Sequence, residues 1–195
     1  MDDESSLGGD ADTHLVRFLP GEEVTSPTKF AHVVLKTTKY REMLDWWLLA
    51  LGASVRHGND FISFISYDDE HHRLAIVNFP GLSEANRQSS GVEHLAFTFG
   101  SLDDLFTKFL ELKGHGITPY WTINHGMTLS AYYRDPDGNQ VEFQVDAMTN
   151  PDADSFMNSP VFAANPIGID VSFEDLIARR EAGEAADSLL SYPMS

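Results

Sequence analysis

Gly91-Val92-Glu93-His94-Leu95-Ala96-Phe97-Thr98-Phe99 alternates apolar and polar residues and reads as a half-buried β-strand. Sixty-two positions earlier stands a stretch of the same kind, Phe30-Ala31-His32-Val33-Val34-Leu35-Lys36-Thr37. The offset superposes Phe30 on Val92, His32 on His94, Met43 on Leu105, Trp47 on Phe109 and Gly52 on Gly114. Each strand is followed by a helical period. Met43, Leu44, Trp47, Leu48 and Leu51 space as one helix face before Gly52. Leu102, Leu105, Phe106, Phe109 and Leu110 space as another, capped by Ser101 with Asp103 and Asp104 in its first turn. Three short strands then follow in each half: 53–56, 61–67 and 73–79 in the first, 117–123, 128–134 and 140–145 in the second. The last two are joined by Asp135-Pro136-Asp137-Gly138, strong turn chemistry. The expected fold class is therefore α+β: two tandem βαβββ modules, about 29–80 and 91–148. One helix covers one sheet face per module, so pairing them leaves a sheet-lined cavity for the site.

The flanks do not repeat. Residues 1–28 are acidic and punctuated by Gly8-Gly9, Pro20-Gly21 and Pro27, and read as a flexible arm. Residues 149–195 form an extension. It has loop signals at Asn150-Pro151 and Asn165-Pro166-Ile167-Gly168 and one short helix opened by Ser172 and stopped at Gly183. With too few regular apolar positions for its own core, this extension is expected to dock as a cavity lid or in a homodimer. Thirty acidic residues against 13 basic ones give a net charge of −17, which disfavours a nucleic-acid partner. No apolar run is long enough to span a membrane, and the acidic N-terminus is the wrong charge for a leader, so a cytoplasmic protein is expected. There is no cysteine. Disulfides, thiolate metal sites and thiol nucleophiles are thereby excluded, and any metal must rest on His, Asp or Glu.

Strand alternation sorts the chemistry by face. Leu95, Phe97 and Phe99 share one side of their strand, and Val141, Phe143 and Val145 share one side of theirs. If the larger apolar sides meet the helices, His32, His94 and Glu142 turn together into the cavity. Two histidines and one carboxylate form a candidate facial triad, the donor set of non-heme Fe(II) oxygenases with open coordination positions. The bland alternative is three satisfied polar residues on a wet sheet face.

The run His125-Gly126-Met127-Thr128-Leu129-Ser130-Ala131-Tyr132-Tyr133-Arg134-Asp135-Pro136-Asp137-Gly138-Asn139-Gln140-Val141-Glu142 resembles the signature of type I extradiol ring-cleavage dioxygenases. The chain from Phe30 to Met148 looks like the vicinal oxygen chelate superfamily, which also holds glyoxalase I and bleomycin-resistance proteins. Residues 67–73 and Asn165-Pro166-Ile167-Gly168 resemble a group of single-domain proteins related to biphenyl-2,3-diol 1,2-dioxygenase. The resemblance implies an Fe(II)-dependent extradiol-type dioxygenase, with Mn(II) as the alternative ion, acting with O2 on a catechol or related ortho-dihydroxylated aromatic.

By the same resemblance His32, His94 and Glu142 are the metal ligands. Tyr132, ten residues before Glu142, and His125, at a spacing that departs slightly from larger members, manage protons. Glyoxalase-like enzymes place a fourth ligand where Ala75 stands here, which favours oxygen chemistry over a glyoxalase-like lyase or isomerase. A metal-free binder of the bleomycin-resistance type is the third reading. His71 and His72, beside Asp68, Asp69 and Glu70, read as a solvated turn, with one of them reaching the cavity as the alternative, and Tyr120, Trp121 and Asn124 as packing or pocket lining.

Overall fold

In the computed structural model, residues 24–83, 85–86 and 88–193 are described. The chain divides into two units, Met1–Phe30 and Ala31–Ser195. In the first, residues 24–30 form neither helix nor strand, and the rest of the expected acidic arm lies outside the described residues.

The second unit contains both modules. The first runs β1 (Val33–Thr37), α1 (Tyr40–Leu51), β2 (Ser54–Gly58), β3 (Ile62–Ser66) and β4 (Leu74–Asn78). The second runs β5 (His94–Thr98), α2 (Leu102–Gly114), β6 (Trp121–Asn124), β7 (Thr128–Arg134) and β8 (Gln140–Asp146). Their sheets have matching orders, β1-β4-β3-β2 and β5-β8-β7-β6, with the first pair parallel and the others antiparallel. The repeat read from the sequence is thus a repeat of topology. β6 starts four residues later than expected, at Trp121, whereas β7 has the expected bounds.

Residues 149–195 hold more structure than one helix. They form α3 (Asn150–Met157), α4 (Pro160–Ala164), β9 (Ile169–Asp170), α5 (Phe173–Glu181) and α6 (Ala186–Leu190). β9 pairs with β6 as a fifth strand of the second sheet. Thr149, Ser159 and Ser172 each cap a helix by accepting from the amide three residues on, which explains how such short helices start.

Both module helices bury one stripe. In α1 it comprises Tyr40, Met43, Leu44, Trp46, Trp47 and Ala50, and in α2 Leu102, Leu105, Phe106, Phe109 and Leu112. Leu110, expected in the second stripe, is 48% exposed. Each residue turns the helix by about 100°, so Leu110 falls on the flank and Leu112 takes its place in the core. These side chains belong to one core shared by the two modules, to which the extension adds Phe173, Leu176 and Leu189. Trp47 is its bolt: fully buried, edge-on to Phe97 at 5.9 Å, with Nε1 donating to Asp135 Oδ2 at 3.2 Å. Among the described residues no helix is long and apolar enough to cross a membrane.

Candidate active site

Leu95, Phe97 and Phe99 pack toward the core, so the alternate residues of β5 emerge on the opposite face. Register then builds a row across the second sheet. Ala96 pairs with Glu142, Glu142 with Tyr132, and Tyr132 with Trp121. Ala96 is small, and His94, one step diagonal from it, leans over so that its Nε2 lies 3.0 Å from Glu142 Oε2. The equivalent row of the first sheet is Val34, Ala75, Phe64 and His57. Ala75 therefore occupies the register position that Glu142 holds in the second module, and no carboxylate stands there.

Glu142 is 4% exposed, a buried acid that needs partners. Besides His94 it has His125, whose Nε2 lies 4.0 Å from Oε1, and Tyr132, which stands opposite it on β7. Tyr132 Oη also lies 3.0 Å from His125 Nε2. Burial first, and the Glu142 carboxylate second, hold the Tyr132 hydroxyl well above the ordinary tyrosine range, so it keeps its proton. The ring is fixed by stacking on Trp121 at 4.9 Å and by His94 standing edge-on at 5.4 Å. His125 sits in the turn between β6 and β7, its Nδ1 2.5 Å from the Ile167 carbonyl oxygen.

Four of the five expected site residues are thus brought together: His94, Glu142, Tyr132 and His125. His32 is placed elsewhere. It lies one residue before β1, exposed, with its ring 4.3 Å from that of His72 and 6.5 Å from that of His71. His72 rests in turn on Phe64 at 4.8 Å. Burial, together with the charges of His32 and His71, pushes the His72 imidazole below its ordinary value. The turn before β4 is therefore a histidine cluster, and not only the solvated charged turn its sequence suggested.

His94 and Glu142 offer nitrogen and oxygen donors that suit a divalent cation. Two donors each about 2.1 Å from one octahedral ion stand about 3.0 Å apart. The separation of His94 Nε2 and Glu142 Oε2 matches that spacing. Among the described residues no three His, Asp or Glu side chains converge on one point, because His32 turns to His72. A cleft of about 860 Å³ between β1, the stretch carrying Leu82, Ser83, Ala85 and Asn86, and the β7–β8 turn carries none of the expected site residues.

Sequence reasoning missed two features of the site, both from the extension. One is the Ile167 carbonyl. The other is Asp170, whose Oδ1 accepts from Trp121 Nε1 at 2.8 Å and steadies the ring on which Tyr132 stacks. The loop signal Asn165-Pro166-Ile167-Gly168 marked the right segment, but a backbone acceptor carries no residue-type signature.

Residues 29–143 match the family model of the glyoxalase/bleomycin resistance protein/dioxygenase superfamily. Two curated relatives from Rhodococcus globerulus are each 40% identical to the chain. Biphenyl-2,3-diol 1,2-dioxygenase 2 matches over 87% of this chain and 90% of its own, and biphenyl-2,3-diol 1,2-dioxygenase 3 over 74% and 78%. Among solved structures, a glyoxylase/bleomycin resistance protein/dioxygenase domain from Frankia sp. EAN1pec superposes with a TM-score of 0.52 at 18% identity, over 62% of this chain and 93% of its own. Lactoylglutathione lyase from Agrobacterium tumefaciens does so with 0.50 at 15%, over 62% and 96%. At those identities the superpositions speak for the fold alone. The matched model spans most of the chain, both modules included, and the chain belongs to the glyoxalase/bleomycin resistance protein/dioxygenase superfamily.

Proposed function

We propose that this chain is an extradiol-type dioxygenase that uses O2 to open the ring of a catechol or related ortho-dihydroxylated aromatic. The observation that carries the reading is the buried Glu142 carboxylate, held between His94 and the Tyr132–His125 pair. The likeness to two biphenyl-2,3-diol dioxygenases along most of the chain supports it. His94 and Glu142 would hold Fe(II) or Mn(II), with His32 as the third proposed donor once its ring turns away from His72. Held by these residues, such a metal would supply an electron path between the diol and O2.

The remaining chemistry belongs to protein side chains. Tyr132, kept protonated, presents an O–H donor beside Glu142, suited to bonding a diol oxygen. His125 shares that hydroxyl. A proton taken up on His125 Nε2 turns that bond around: the imidazolium donates to Tyr132 Oη, and the hydroxyl proton of Tyr132 is freed for a substrate oxygen. The stacked Trp121 and Tyr132 rings form a flat apolar wall that fits an aromatic substrate. Ala75 separates this reading from the glyoxalase-like one, in which the equivalent position carries a fourth metal ligand.

Two measurements test the proposal together. Anaerobically purified protein should contain about one Fe(II) or Mn(II) per chain and consume O2 with at least one member of a catechol panel. His32→Ala, His94→Ala and Glu142→Ala should each lose the metal while keeping the circular dichroism spectrum of the parent. Full metal occupancy in all three variants refutes the ligand set, and no oxygen uptake across the panel by the metal-loaded parent refutes the reaction class.

A further inference from the structure

Three separate parts of the C-terminal extension converge on one tripeptide of the β6–β7 turn, Asn124-His125-Gly126. From α3, the Phe156 ring lies so close under Gly126 that any Cβ there would collide with it; Gly126 also has φ +91°. From the end of α6, the carbonyls of Leu190 and Ser191 accept from Asn124 Nδ2 at 3.2 and 3.5 Å. From the turn before β9, the Ile167 carbonyl reaches His125 Nδ1. Asn124 Oδ1 accepts from the Gly126 amide at 2.8 Å and closes the tripeptide on itself.

The Ile167 carbonyl is itself aimed. Asn165 Oδ1 accepts from the amides of Ile167 and Gly168 at 3.3 and 3.1 Å, and Asn165 Nδ2 donates to the Gly168 carbonyl at 2.6 Å. Gly168 then passes so near β6 that a Cβ would run into the Asn124 carbonyl and come within 2.9 Å of His125 Cα; its φ of +115° also excludes an ordinary side chain. One residue later, Ile169 pairs with Asn124 in the β9–β6 ladder. The turn is pinned on both sides of the carbonyl that touches His125.

A carbonyl oxygen can only accept a hydrogen bond, so the nitrogen it faces must carry the proton. We infer that the 165–168 turn is a positioning element of the site: through the Ile167 carbonyl it fixes His125 in the Nδ1–H tautomer. The Nε2 lone pair is thereby left facing Tyr132 and Glu142. Without this contact a neutral imidazole is free to place its proton on Nε2, where it cannot accept from Tyr132 or from a substrate hydroxyl. At this point the extension is then a part of the machinery that sets the base. That His125 is the base rests on the function proposed above; that its tautomer is set by residue 167 does not.

The experiment uses 15N-histidine-labelled full-length protein in alkaline buffer, treated with chelator so that no paramagnetic ion broadens the signals. The His125 resonances are identified by their loss in His125→Gln. The parent should show a protonated Nδ1 and an unprotonated Nε2. Gly168→Ala, which must push the 167–168 backbone off Asn124, should shift His125 toward the Nε2–H form. Asn165→Ala, which frees the turn without a clash, should do the same, and it serves alone if Gly168→Ala does not fold. In metal-loaded protein with a turned-over catechol, both variants should lose on the order of 10- to 100-fold in kcat with KM within about threefold and metal content unchanged. An Nε2–H tautomer in the parent overturns the inference, as does an unaltered tautomer in a folded Asn165→Ala chain. If the tautomer moves as stated but the parent turns over no catechol, it is the proposed function that fails and not this assignment.

Discussion

Tyr132 has four neighbours that each constrain it differently: Trp121 below its ring, His94 at its edge, and His125 and Glu142 at its hydroxyl. Removing the hydroxyl alone isolates its chemical part. Tyr132→Phe should keep its metal and lose about 1 kcal/mol of stability, the typical net worth of a buried hydrogen bond. Its oxygen uptake should fall on the order of 10²- to 10⁴-fold. Uptake at the parental rate removes Tyr132 from the proton path. This residue was legible in the sequence through the resemblance, which sets a tyrosine ten positions before the carboxylate; in the structure the two stand opposite each other in an antiparallel pair. His32 shows where such reading stops. The repeat assigns it the same place as His94, and its backbone position agrees. The ring, however, is free to choose among neighbours, and it chooses His72 over any partner on the second sheet. Side-chain choices of that kind depend on contacts that no spacing encodes.

Among the elements, the β7–β8 turn binds the two modules. Asp135 accepts from Trp47 Nε1, from the amides of Asp137 and Asn139 and from Asn139 Nδ2, all while only 4% exposed. Lys39, just ahead of α1, adds a bond from Nζ to the Pro136 carbonyl at 2.7 Å. Asp135→Ala leaves several donors short of partners and should cost about 3 kcal/mol in urea unfolding. Burial pushes the Asp135 carboxyl above its ordinary value, against the pull of those hydrogen bonds. The stability linked to this raised group is complete below the unfolded value and declines as pH rises through the folded one. The penalty of Asp135→Ala should therefore be larger in mild acid than at neutral pH; a penalty independent of pH contradicts the assignment. The turn itself was plain from Asp135-Pro136-Asp137-Gly138. The short helices α3, α4 and α6 were not, since elements of five to eight residues complete too few turns for a period to show.

At the scale of the molecule, the repeat accounts for two sheets and two helices but not for the part of the core that the extension supplies. Phe173 packs on Phe106 and Phe109 at 5.5 and 5.4 Å, and Leu176 and Leu189 join the same cluster. Ending the chain after Thr149 removes all three and the clamp on His125 together. The truncated protein should lose on the order of 5 kcal/mol of stability and its oxygen uptake. Unchanged unfolding and unchanged turnover would remove the extension from both core and site. The sequence showed that this segment could not fold alone; which surface it covers follows only from packing, because its apolar residues are scattered and unpatterned.

The hydrogen bond from Asn124 to the Leu190 carbonyl spans 66 residues, and the donor belongs to the turn that carries His125. Closing so long a loop is entropically costly and cannot precede the arrival of its far end. In chain order all strands and helices of the repeat therefore precede the residues that hold in place the ring that would act as base. Residues that follow both modules in the chain finish the site, so a proteolytically shortened chain can carry the duplicated scaffold and still be chemically unfinished.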